Sequence, residues 1–500
     1  MFFPVITRLP MRHVACQQRG MLRRFQWPSS VALVLTSLAA APDAQATTAI
    51  FPSGSAVPIE QRIAVAVSPS RTTVWTNLRL DSAAKPVGLV VPVPPGAALD
   101  HSSDAWFEAL DDATAPRILP PTGAAYVCPG TMPDPAVDPF HVTTFPSPMK
   151  GLDPSQSQVL PDVPAVLAWA GAGGFTVSAA TKTALENMPG MRFFVERFEP
   201  KDAPFFTSTL RVVLPGSTPT LPLALTHAGS SDLRVTAWFV GAGRATLTGS
   251  SSLKLSMNDL QWSAKTQSSN YIELRDGALL AGGSSASITE AASHDALVKN
   301  VAIAEGKGAI TGLVTGYFQR AATYLDGNSD ANPCIISAAA VLEGAANVAQ
   351  ACPRANLGVV DGAPSCVEAP AGAEVDPAKL RCGGRADDLA VVLSDLQPAN
   401  AWLTRVTMIV PKDSSGQTWP LTFTAVAPTV DPTETAAGIS FAGCDAMSSS
   451  GSTSSGSSGN GTSSGSSGPS TTSGSGGVGA SAPVTPETDY DSDMSCGCGG

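Results

Sequence analysis

Leu210 to Gly241 reads LRVVLPGSTPTLPLALTHAGSSDLRVTAWFVG, and this stretch decides the fold class. Leu210, Val212 and Leu214 recur at every second position, as do Leu221, Leu223 and Leu225, and then Leu233, Val235, Ala237 and Phe239. A period of two is the signature of a β-strand with one apolar face. Pro215-Gly216 and Gly229-Ser230-Ser231 separate the runs at roughly ten-residue intervals, the spacing of a β-sandwich or barrel.

The same pattern extends outward. Val74, Thr76, Leu78 and Leu80 alternate with Trp75, Asn77 and Arg79, and Gly88 to Val93 (GLVVPV) is an apolar run that Pro92, Pro94 and Pro95 bring to an end. A short amphipathic helix is expected next, capped by Ser102 or Ser103, with Asp104 at its positive end and Trp106, Phe107 and Leu110 on one face. Residues 117–185 are rich in Pro and Gly and read as loops carrying Cys128. Strand signals return at Phe193 to Phe198, and again at Asp388 to Leu393, Trp402 to Val410 and Trp419 to Ala425; a helix is expected over Ile288 to Ala304. The expected fold is mainly β, sandwich-like, with a disulfide-tied and partly helical insertion at 334–385.

Composition agrees. Charged residues make up 14% of the chain against about 25% in ordinary globular domains, while 42 Pro and 46 Gly favour turns over long helices. The N-terminus reads as a secretory signal over 1–46. Arg8, Arg12, Arg19, Arg23 and Arg24 form a basic region, Val31 to Ala41 (VALVLTSLAAA) an apolar one, and Ala44-Gln45-Ala46 a small-residue cleavage motif before Thr47. Met11 and Met21 are alternative starts. Removing 1–46, which holds five Arg and one Asp, leaves 25 basic against 40 acidic side chains, a net charge of −15. Such a surface is unsuited to nucleic acid or anionic lipid. The mature chain has no run of 18 apolar residues and so no expected transmembrane segment.

The remaining chain divides into β-rich parts at 47–245 and 246–446, a Ser/Gly-rich linker at 447–480 that cannot bury enough surface to fold, and an acidic Cys-Gly-Cys tail at 481–500. Six cysteines in the body (Cys128, Cys334, Cys352, Cys366, Cys382 and Cys444) read as disulfide partners, an even set in an exported chain allowing 15 pairings. Cys352–Cys366 and Cys366–Cys382 are short closures. Cys334 and Cys352 flank an Ala-rich stretch that, as a continuous helix, holds them about 27 Å apart, too far for a bond. Cys496 and Cys498 are candidates for modification or sorting.

Few residues suggest chemistry. Asp326, Asn328 and Asp330 alternate as the first ligands of a Ca²⁺ loop do, but position six is Ala331 and position twelve Ser337, so an Asx turn is the competing reading. Ser251/Lys254 and Ser147/Lys150 match S-x-x-K without its partner motifs. His101, His141, His227 and His294 are scattered, and the pairs Asp111-Asp112 and Asp387-Asp388 read as a solvated helix end and the start of a strand. No cofactor motif is present.

GLVVPVPPGAALDHSSDAWFEALDDATAPRI (Gly88 to Ile118), MRFFVERF (Met191 to Phe198) and Leu210 to Gly241, in that order, resemble the DUF2330 family of secreted bacterial proteins. SSASITEAA (Ser284 to Ala292) and AWLTRVTMIVP (Ala401 to Pro411) extend the resemblance over most of 50–425. The family's own function is unknown, so the resemblance implies export and fold but carries over no catalytic residue. Many members have a Cys-containing segment after the signal, which Thr47 to Pro58 lacks. The tail resembles those of exported myxobacterial proteins, without the hydrophobic helix that sorts some of them to the surface. The expectation is an exported, periplasmic or extracellular protein, non-enzymatic, binding an envelope partner or serving structurally; the alternative is a secreted hydrolase whose residues are distant in sequence.

Overall fold

The alternation at 210–241 becomes three strands of a sheet system, seen in a computed structural model. The structure describes residues 48–293 except 55, 82–84, 124–125, 130, 133–137, 143–149 and 227–230; Tyr317, Arg320 and Ala321; and residues 387–444 except 397–400. The candidate ligands Asp326, Asn328 and Asp330, the insertion with Cys334, Cys352, Cys366 and Cys382, the signal and the tail with Cys496 and Cys498 lie outside the described residues, as do His227 and His294.

The first half comprises β1 (Ala49–Pro52), β2 (Val57–Val67), β3 (Arg71–Asp81), β4 (Val87–Val93), β5 (Ala98–His101), α1 (Ala105–Thr114), β6 (Arg117–Leu119), β7 (Gln156–Leu160), α2 (Val163–Ala172), α3 (Ala179–Glu186) and β8 (Arg192–Phe198). Then come β9 (Phe205–Phe206), β10 (Leu210–Pro215), β11 (Thr220–Leu221), β12 (Leu233–Gly241), β13 (Arg244–Leu247), β14 (Ser251–Ser252), β15 (Gln261–Ser263), β16 (Ser268–Ser269), α4 (Tyr271–Gly282) and β17 (Ala286–Ser293). The chain ends with α5 (Asp388–Val392), β18 (Trp402–Val410), β19 (Trp419–Thr424), β20 (Thr433–Thr435) and β21 (Gly438–Ser440).

The fold is mainly β. A nine-stranded sheet runs β14-β17-β18-β12-β2-β3-β10-β5, with β9 beside β3, and a four-stranded sheet runs β1-β4-β8-β7. Three smaller sheets are β11-β19-β13, β16-β15-β21 and β20-β6. One face of the large sheet is apolar. Ile63, Val65, Val74, Leu78, Val212, Val235, Phe239 and Val406 from it meet Leu89 and Val91 of β4, Phe194 and Phe198 of β8, and Trp419 and Leu421 of β19. These positions are the alternating ones of the sequence, and each buried Leu, Val or Phe is worth about 1.5–3 kcal/mol. Pro92 lies in β4 beyond Val90, the last residue paired with β1, so its missing N–H interrupts no ladder on that side.

Three expectations are corrected. Residues 117–185 are not loops throughout. They hold β6, β7, α2 and α3, the helices started by Asp162, whose carboxylate accepts from the Ala165 amide, and Ser178, whose hydroxyl accepts from that of Thr181. Residues 286–293 form a strand rather than the start of a helix, because pairing with β18 overrides the helix preference of the Ala-rich run. Asp388 to Leu393 is not a strand. Its short apolar run fits either state, and as a helix it buries Leu389, Ala390 and Val392 in one cluster with Trp75 and Trp106. The helix after the proline turn does form, as α1, and the Ser103 hydroxyl accepts from the Ala105 amide at its start (3.2 Å). The Asp104 carboxylate turns away from the helix and accepts from Gly151 N (2.8 Å), Thr209 N (3.1 Å) and Thr209 Oγ1 (2.6 Å).

Candidate functional site

The second face of the large sheet is where charge collects. Alternation puts Glu60, Arg62 and Ala64 of β2 on this face, beside Arg79, Asn77 and Trp75 of β3. On the other side of β2 they meet Arg234, Thr236 and Trp238 of β12, and Arg405 and Thr407 of β18 follow. Period-two polar residues ordinarily face water. Here α1 covers the face with Trp106, Phe107 and Leu110, while α4 brings Tyr271, Arg275 and Asp276 against β17 and β18. Arg62, Arg275 and Arg405 are consequently fully enclosed.

Burial of this kind is tolerable only when the charges satisfy one another. Arg405 reaches Asp111 of α1 with Nη1 (2.6 Å) and Glu290 of β17 with Nε (2.7 Å). Glu290 also accepts from Thr407 Oγ1 (2.7 Å), Arg275 Nη1 (3.2 Å) and Tyr271 OH (3.2 Å). The register of β17 against β18 slips between Thr289 and Ala291, and this bulge frees Glu290 from regular pairing. Arg275 Nε and Arg234 both hold Asp276. Arg62 donates from Nε to Asn77 (2.9 Å) and lies over the rings of Phe206 and Phe107, 4.5 and 5.0 Å from their centroids.

Electrostatics separates Glu290 from Glu60. Burial pushes Glu290 up, but the Arg405 and Arg275 guanidiniums outweigh it and hold the carboxyl at about 2. Burial pushes Glu60 up by more than Arg62, Arg234 and Arg79, the last at 3.6 Å, pull it back, and its carboxyl is left at about 7.

A second buried centre is Asp388. Its Oδ1 accepts from Trp75 Nε1, Ser102 Oγ and Arg211 Nη1, and its Oδ2 from Tyr317 OH (2.7 Å). Asp111 and Asp388 are thus not solvated, contrary to the sequence expectation, because α1 and α5 turn them inward; Asp112 is exposed.

The histidines are placed as follows. His141 bridges Arg117 at the β6 end. His101, at the end of β5, joins the two main sheets: its Nε2 lies 3.2 Å from Glu196 Oε1 of β8, and its Nδ1 lies 3.4 Å from Ser208 Oγ. Sequence reasoning missed this triple because its members come from three separate segments. It contains the residue types of a hydrolase triad. Its surroundings suit a tie between sheets better. Glu196 and Ser208 are buried, and the Ser208 and Thr209 amides that could face an oxyanion are bound to Leu152 O and Asp104. Of the S-x-x-K matches, Ser251 lies on the two-residue β14, so no helical turn brings Lys254 to it.

Of the disulfide candidates, Cys128 pairs with Cys444, with Cα atoms 5.5 Å apart. Close by, Tyr126, Phe140 and Trp262 stack, and Trp262 also lines a groove of about 290 Å³ with Gln261, Thr266, Asn270, Glu273 and Ser440. Among the described residues, no group of three or more His, Cys, Asp or Glu side chains is arranged to hold a metal ion, and no helix is long and apolar enough to cross a membrane.

No family model matches the chain, and no curated protein sequence does. A crystal structure of baculovirus P35 is similar to part of it, with a TM-score of 0.23 and 10% identity over 42% of this chain and 68% of that one.

Proposed function

We propose that the chain is an exported, non-enzymatic protein of the bacterial cell envelope or extracellular space, of the DUF2330 kind, whose braced β-rich body serves binding or structure. The observation that carries this reading is the Cys128–Cys444 disulfide. Such bonds persist in oxidising compartments and are rare in a reducing cytosol. The basic and apolar segments ahead of Ala44-Gln45-Ala46 support removal of 1–46 on the way out. The buried carboxylates support a non-catalytic role, since Asp111, Glu290 and Asp388 are each engaged by an arginine of the same core.

Cell fractionation with mass spectrometry of the mature ends tests the reading. The expected result is a periplasmic or released protein beginning at Thr47 with Cys128 and Cys444 linked. An intact N-terminus in the cytosol, with both thiols free, overturns it.

The His101–Glu196–Ser208 line favours a second reading, a secreted hydrolase with Ser208 as nucleophile. A fluorophosphonate probe distinguishes the two: an adduct at Ser208 that His101→Gln abolishes supports the hydrolase, and absence of label at Ser208 supports the non-enzymatic protein.

A further inference from the structure

A sheet edge presents unpaired amides and carbonyls, and proteins blunt it with short strands, charge, proline or bulges. Among the described residues nearly every edge here is blunted. In the large sheet β14 has two residues, and β5 has four, ending in Asp100 and His101. On the four-stranded sheet β1 has four residues and ends in Pro52, and the edges of the smaller sheets have two to four residues.

The exception is β7. Among the described residues it is the outer strand of the four-stranded sheet, paired on one side only, with β8. Its five residues, Gln-Ser-Gln-Val-Leu, include no charge and no proline, and Val159 is 55% exposed. Pro161 and Asp162 then lead into α2, VPAVLAWAGA, which also carries no charge. A helix apolar all round is ordinarily enclosed. In α2 only Val166 and Ala170 are buried. Edge and helix are consecutive in the chain, and apart from Asp162 between them they present, among the described residues, a largely exposed surface without charge on a protein of net charge −11.

We propose that β7 pairs antiparallel with β7 of a second copy about a two-fold axis at Gln158, joining two four-stranded sheets into one. Gln156 then faces Leu160 of the partner subunit, Ser157 faces Val159 of the partner subunit, and Gln158 faces its own counterpart. Self-pairing suits this strand because it sets no like charges opposite each other. Elsewhere two copies of an acidic chain repel; along these residues they do not. A two-fold contact needs only this one patch, repeated on each copy, and it is independent of the compartment in which the protein resides.

The axis supplies the test. In Gln158→Lys two ammonium groups face each other, and in Gln158→Glu two carboxylates do. Gln158 is exposed, so neither change disturbs the core. In sedimentation equilibrium the mature wild-type chain is expected to be a dimer, each variant alone a monomer with an unchanged melting temperature, and an equimolar mixture of the two a dimer again. A wild-type chain that is monomeric at every concentration, whether or not it captures another protein, overturns the proposal. So does a Gln158→Lys dimer, or a mixture that stays monomeric.

Discussion

Asp388 Oδ1 lies 2.8 Å from the indole Nε1 of Trp75, across 313 residues of sequence. The same carboxylate binds the Ser102 hydroxyl at 2.6 Å and Arg211 at 2.9 Å, so one short helix, α5, is fastened to β3, β10 and the segment before α1.

Removing that carboxylate leaves Arg211 facing a buried vacancy. Asp388→Ala is expected to cost about 3–5 kcal/mol, the range for breaking a buried ion pair. Trp75→Phe, which keeps most of the packing and gives up one hydrogen bond, is expected to cost about 1–3 kcal/mol. Urea denaturation midpoints of the two variants check both the order and the size.

Glu60 makes stability fall as pH rises. Its folded pKa of about 7 lies above the ordinary 4.5, so the folded state holds a proton the unfolded state has released. Its contribution is fully present below about 4.5 and is lost as pH rises through about 7. Glu60→Gln does not titrate, so relative to wild type it is expected to gain on the order of 3 kcal/mol between pH 4.5 and 8. Chemical denaturation at each pH measures the difference.

Glu290 acts in the opposite sense. Its pKa is held at about 2, so its contribution is present above about 4.5 and is lost as pH falls towards 2. Glu290→Gln is expected to be destabilised by about 3–5 kcal/mol at neutral pH, since Arg405 and Arg275 lose a buried counter-charge. The penalty should shrink in acid, and a variant as stable as wild type at pH 7 would refute the assignment.

Gly151 has no room for a side chain. A Cβ there would meet Thr207 O at 2.6 Å and Ser208 Cα at 2.7 Å, both backbone atoms that cannot swing aside. Gly151→Ala is expected to cost about 1–3 kcal/mol of stability, read from the shift in melting temperature.

The strands were legible because their apolar residues alternate, and Leu233, Val235, Ala237 and Phe239 line the apolar core as their spacing requires. The charged layer was not legible, for the same reason. Arg62, Trp75 and Arg405 stand at the alternate positions, where period two reads as a solvated face, and only the placement of α1 and α4 across that face encloses them. A five-residue helix such as α5 is too short to display a helical period, and Glu290 is re-aimed by a bulge that leaves no mark in composition. The pairing of Cys128 with Cys444 was one of many open to six cysteines, because distance along the chain says nothing about the 5.5 Å between them.

That bond also decides how the body bears a load. The last described strands are slight: β20 and β21 hold three residues each, paired to β6 and β15. Tension applied beyond Cys444 would otherwise unzip those pairs one after another, from the end inward. With Cys444 joined covalently to Cys128, the force is shared with the chain beside the Tyr126–Phe140–Trp262 stack, and β20 and β21 are no longer peeled from their free end. Under oxidising conditions the terminal strands are thereby guarded against unzipping, whereas after reduction they become the first to give way.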